Sequence, residues 1–134
     1  MTLYADTSAL LKRYVAEPDS HLAEQILHSD PELVTGRHTL VEVRQNLARL
    51  LSSRALTTAK SDFRRDLEAF AVIELDAATC ELAASIAEEL SVRTLDALHL
   101  GCAQRVGGSA VAFATFDLRQ AQAARSLGFV VLGT

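Results

Sequence analysis

Five short apolar runs recur along this sequence, and segments whose apolar residues step by three and four lie between them. TLYA, which stops at Asp6, then ELVTG, AVIEL, AVAFAT and FVVL have the length of buried strands. Intervening helices are predicted from Thr7 to near Glu17 and Pro18, from about Asp19 to His28, and from His38 to Ser52. Further helices are predicted over Leu56–Phe70, from Asp76 or Ala77 through Leu90, over TLDALHLGCAQRV, and over DLRQAQAARS up to Gly128. Parallel strands need a crossover between them, so this alternation predicts an α/β fold with a mostly parallel sheet covered by helices on both faces. The segment around Leu98 is apolar almost all round, as befits a helix buried between other elements, with Thr94 as its expected cap and Gly107 and Gly108 as its end.

A chain of 134 residues is long enough for one domain and short for two, so a single domain over residues 1–134 is expected. With 49% apolar and 22% charged residues it can bury a core. No apolar run reaches the eighteen or so residues of a membrane span, and the N-terminus lacks the pattern of a secretion signal, which predicts a cytoplasmic protein. Cys80 and Cys102 have no metal-ligand spacing and are expected as small buried hydrophobes. A formal charge of −4 excludes nucleic-acid binding by global charge alone. Between Leu33 and Ser61, however, Arg37, Arg44, Arg49, Arg54 and Lys60 face a single acid, Glu42.

Ligand sites of open α/β sheets lie beyond the carboxyl ends of the strands, and acids fall there. Asp6 ends the first strand, Asp117 follows the fourth, and Asp96 lies in the first turn of the buried helix. Each alone also suits a helix cap. Glu42 lies inside a helix, about 130° from the centre of the Leu40, Val43, Leu47 stripe, where it is either a solvated partner of an Arg or part of a site. What would require all four is a hard divalent cation, which takes carboxylate and water oxygens. Without it, two carboxylates about 5 Å apart repel by roughly 3 kcal/mol at an effective dielectric of 20. A cation so held suits phosphodiester hydrolysis.

These residues sit in segments that resemble the PIN-domain ribonucleases, and in particular the VapC-type toxins of bacterial toxin–antitoxin pairs. YADTSALLKRY is similar to the family's opening, TLVEVRQNL carries Glu42 on its acidic helix, RTLDALHLGCA is similar to the most characteristic family segment, and ATFDLRQAQAARSLG to the closing one. The resemblance implies a three-layer α/β/α PIN fold and RNA cleavage dependent on Mg²⁺ or Mn²⁺. It implies Asp6, Glu42 and Asp96 as ligands, with Asp117 as a fourth acid behind them or on a second ion. It further implies inhibition by a small antitoxin protein, and a homodimer. Ser8 or Thr115 is expected to hydrogen-bond a ligating carboxylate. His99 is expected as a buried, hydrogen-bonded histidine, and His21, His28 and His38 at the surface. Arg13, Arg44 and Arg49 are candidates for contacts to RNA or antitoxin, and Tyr14 is the aromatic to watch. Gly101 inside a helix predicts close backbone packing. A haloacid-dehalogenase phosphatase would need an Asp where Ser8 stands, and a phospho-acceptor receiver a Lys late in the chain. The remaining alternative is a non-catalytic PIN-fold binding module.

Overall fold

The computed structural model describes residues 2–134. Its strands are β1 (Thr2–Ala5), β2 (Leu33–Gly36), β3 (Ala71–Ile73), β4 (Val111–Thr115) and β5 (Val130–Gly133). Its helices are α1 (Thr7–Leu11), α2 (Ser20–Leu27), α3 (Thr39–Leu50), α4 (Ser53–Ala69), α5 (Ala77–Leu90), α6 (Thr94–Val106) and α7 (Leu118–Ser126). All strand pairings are parallel, in the order β3-β2-β1-β4-β5. Strand β1 is central, pairing Tyr4 with Val34 of β2 on one side and with Phe113 of β4 on the other.

Side chains of a strand alternate between the two faces of a sheet, and here the alternation divides the core in two. Tyr4, Val34, Val111 and Phe113 pack under α5, α6 and α7, whereas Leu3, Ala5, Leu33, Ala112 and Ala114 pack under α1 and α2. A third cluster, Val43, Leu47, Ala59 and Phe63, joins α3 to α4. This is the three-layer α/β/α arrangement that the strand and helix periodicities predict. No helix among the described residues is long and apolar enough to cross a membrane.

Helix α6 is buried through Ala97, His99, Leu100, Gly101, Cys102 and Ala103. A Cβ on Gly101 would stand 3.1 Å from the Ala83 backbone nitrogen, so the glycine lets α6 press against α5, as expected of it. Three local expectations fail. Helix α1 ends at Leu11, where the chain tightens: the Arg13 and Tyr14 amides donate three residues back, to Leu10 and Leu11. The cap position of α6 is Arg93, without a side-chain cap bond, and Thr94 is the first helical residue. Cys80 is exposed, because it lies one residue off the inward Thr79, Ala83, Ile86 stripe of α5, while Cys102 is buried as expected.

Candidate active site

The sheet reverses its strand order at β1, and the chain leaves β1 and β4 on opposite faces, through α1 and α7. That divergence opens a crevice at the carboxyl ends of the two strands. Asp6 stands at its floor, only 4% exposed. The Asp6 amide donates to the Ala114 carbonyl (3.1 Å), continuing the ladder one residue past β1. Its carboxylate Oδ1 accepts from the Ala9 amide (3.1 Å), which caps α1, and from the Ser8 hydroxyl (2.6 Å). Ser8 Oγ in turn accepts from the Phe116 amide (2.8 Å) and lies 3.3 Å from Thr115 Oγ1, so it ties the end of β1 to the end of β4. Burial pushes the Asp6 carboxyl above its usual range, against the opposing pull of His99, Ser8, Thr115 and the Ala9 amide.

Glu42 reaches the same crevice from α3, half-buried. Its Oε1 accepts from Thr7 Oγ1 (2.8 Å) and from His99 Nε2 (2.7 Å). His99, 3% exposed, is fixed from its other side by the Tyr4 hydroxyl, 2.8 Å from Nδ1. Burial raises the Glu42 carboxyl, but the His99 bond and charge and the Thr7 bond outweigh it and hold the group below its usual range.

The other two acids stand apart from this buried network. Asp96 Oδ2 accepts from Arg93 Nε (3.1 Å), and Arg93 Nη2 lies 3.6 Å from Asp117 Oδ2. Asp117 also caps α7, accepting from the Arg119 and Gln120 amides at 2.8 and 3.1 Å. Gln120 is buried because its side-chain amide donates to the Asp96 carbonyl (3.0 Å), joining α7 to α6. Asp6 is thus held by Ser8 and the Ala9 amide, Glu42 by Thr7 and His99, and Asp96 and Asp117 share Arg93.

His38, expected at the surface, is 6% exposed, its ring centroid 4.0 Å from that of His99 and its Nε2 3.8 Å from Glu42 Oε1. Sequence reasoning missed it and Arg93, although the spacings His38 to Glu42 and Arg93 to Asp96 place each pair on neighbouring helical positions. Among the described residues, His38, Glu42 and His99 are the one group offering three metal-ligand atoms within 4.8 Å of one another. Arg13 is engaged inside the molecule by Glu24 (3.1 Å) and Asp66 (3.6 Å), and Tyr14 donates to Asp66 (2.6 Å) while packing edge-on against Phe63. Arg49 donates to Asn46, and exposed Arg44 lines a groove between α3 and α4.

Similarity to known proteins identifies the class that this fold defines. Residues 3–126 match the family model of the PIN domain, and the chain belongs to the PIN-domain family. Within it the chain groups with the VapC ribonucleases: it is 34% identical to Ribonuclease VapC46 of Mycobacterium tuberculosis over 134 residues, 97% of this chain and 95% of that one. Among solved structures, VapC20 of Mycobacterium tuberculosis, described as a sarcin-ricin loop cleaving toxin, superposes with a TM-score of 0.71 at 21% identity, covering 96% of both chains. DNA-bound VapBC from Salmonella typhimurium gives a TM-score of 0.72 at 18% identity, over 98% of this chain and 96% of that one.

Proposed function

We propose that this chain, a single PIN domain, is a metal-dependent endoribonuclease toxin that hydrolyses RNA phosphodiester bonds in the cytoplasm and is restrained by a cognate antitoxin. The observation that supports the reading is that Asp6 ends β1 and Asp117 follows β4, while Glu42 reaches from α3 to Thr7 beside Asp6, and Asp96 on α6 shares Arg93 with Asp117. The donor set fits Mg²⁺ or Mn²⁺, because it consists of hard carboxylate oxygens, and the raised Asp6 carboxyl marks a place where positive charge relieves an electrostatic cost. When bound, such an ion supplies Lewis acidity to the phosphoryl group and a more acidic water.

The residues of this chain then have distinct duties. Asp6, Glu42 and Asp96 are the proposed ligands, with Asp117 completing the acidic wall. Ser8 and Thr7 orient Asp6 and Glu42 by donating to them at 2.6 and 2.8 Å. Arg93, at the mouth of the crevice, offers a cation to a phosphate backbone while holding Asp96 and Asp117 side by side.

An antitoxin partner is supported by the toxin–antitoxin complexes among the structural relatives and by the α3/α4 groove. That groove, about 630 Å³, has apolar walls from Leu40, Leu56 and Leu67 and a rim of Arg44, Lys60 and Arg64, suited to a segment that alternates apolar and acidic residues. A homodimer is proposed on the likeness to VapC proteins. The test is incubation of purified protein with mixed RNA in Mg²⁺ or Mn²⁺. Cleavage abolished by EDTA and by Asp96→Asn is expected. Absence of metal-dependent cleavage of any RNA would leave a PIN-fold binding module.

A further inference from the structure

We propose that His38, Glu42 and His99 form a binding site for a divalent transition metal of the zinc class, sharing only Glu42 with the carboxylate set. This proposal does not depend on the ribonuclease reading.

A tetrahedral zinc ion with metal–nitrogen distances of 2.0–2.1 Å separates its ligand atoms by about 3.3 Å. In the structure Glu42 Oε1 lies 2.7 Å from His99 Nε2 and 3.8 Å from His38 Nε2, spacings that bracket that edge. All three ligand atoms lie within 4.8 Å of one another, close enough for one ion to draw them together. Two imidazoles and one carboxylate are a borderline donor set, which favours zinc, cobalt or nickel over magnesium.

A second observation points to a ligand independently. His38 is buried, yet neither of its ring nitrogens makes a well-formed hydrogen bond, the Leu95 backbone offering only a weak one. Buried polar groups are rarely left so, and a ring nitrogen facing Glu42 and His99 is satisfied by a metal. The fold also makes room for this ring: a Cβ on Gly36 would stand 2.6 Å from His38 Cε1 and 2.7 Å from His38 Nδ1.

The outer groups are already positioned. With the metal on Nε2, His99 carries its proton on Nδ1 and donates it to the Tyr4 oxygen 2.8 Å away, the arrangement by which ligating histidines are oriented. Thr7 fixes Glu42. Glu42 is the partly exposed member of the three, with His38 and His99 buried behind it.

The experiment is titration of chelator-treated, full-length protein with Co²⁺, followed by visible absorption, and then with Zn²⁺ as competitor. One equivalent of Co²⁺ is expected to produce the strong bands of a low-coordinate, nitrogen-ligated site, which Zn²⁺ bleaches. His38→Leu and His38→Gln, their fold checked by circular dichroism, should lose the bands and bind Zn²⁺ at least about 100-fold more weakly. Asp96→Asn and Asp117→Asn should retain the bands. Absence of bands in the wild type, or their survival in a folded His38 variant, overturns the site. Mg²⁺-dependent RNA cleavage, measured on the same preparations, reports separately on the nuclease reading.

Discussion

The two halves of the acidic crevice are built differently. Asp6 and Glu42 sit on an inner, largely buried wall where Ser8, Thr7, His99 and the Ala9 amide fix their oxygens, and both carboxyls are displaced from their usual pKa, in opposite directions. Asp96 and Asp117 form an outer wall, steered by one exposed guanidinium and anchored to helix starts. The inner half is preorganised by buried groups that cannot relax cheaply, whereas the outer half is held by an ion pair that water weakens. On the proposed reading, a cation and an RNA strand would find half of the acidic site rigid and half adjustable.

Substitutions that distinguish the halves rank by expected effect. Glu42→Gln should lower Mg²⁺-dependent RNA cleavage by about a thousandfold or more in single-turnover assays, since loss of an inner ligand removes several kcal/mol of charge stabilisation. Equal activity in Glu42→Gln and wild type would erase the distinction. Asp117→Asn keeps the α7 cap acceptor and should cost about 10–100-fold, as should Thr7→Val, which leaves Glu42 in place without its hydroxyl donor. Arg93→Ala is expected to change kcat by less than about fivefold, because an exposed ion pair contributes at most about 1 kcal/mol. It should, however, flatten the salt dependence of RNA binding.

Titration separates the two inner acids as well. The raised Asp6 carboxyl binds a proton more readily folded than unfolded, so in metal-free protein its contribution falls as pH rises from the ordinary carboxylate range through the raised folded value. The depressed Glu42 carboxyl does the reverse: its contribution is present above the ordinary carboxylate value and is lost as pH falls through the folded one. Thermal melts in chelator from about pH 4 to 7 should therefore show stability declining less steeply toward neutral pH in Asp6→Asn than in wild type.

Much of this organisation was legible in the residues. Strand and helix alternation gave the layers, since short apolar runs such as TLYA must be covered on both faces and period-3.6 runs such as Leu40, Val43, Leu47 supply the covering helices. The positions of Asp6 and Asp117 beyond strand ends, and of Glu42 off the packed stripe of its helix, were legible in the same way. What the chain order hid were groups whose meaning depends on the packing of distant elements. His38 looks like any histidine before a helix until α6 brings His99 against it. Arg93 reveals its part only once α7 sets Asp117 beside Asp96. Cys80 was misjudged because one step of 100° decides which face of α5 it occupies.

The central claim, that a divalent cation relieves the cost of burying the charged Asp6 carboxylate, is tested most directly by the Tm of wild type and Asp6→Asn at neutral pH, with chelator and with Mn²⁺. The account predicts that Mn²⁺ raises the wild-type Tm, that Asp6→Asn melts higher than wild type in chelator, and that Mn²⁺ leaves the variant nearly unmoved. An Mn²⁺ shift of equal size in both proteins, or an Asp6→Asn variant that melts lower than wild type in chelator, would contradict it.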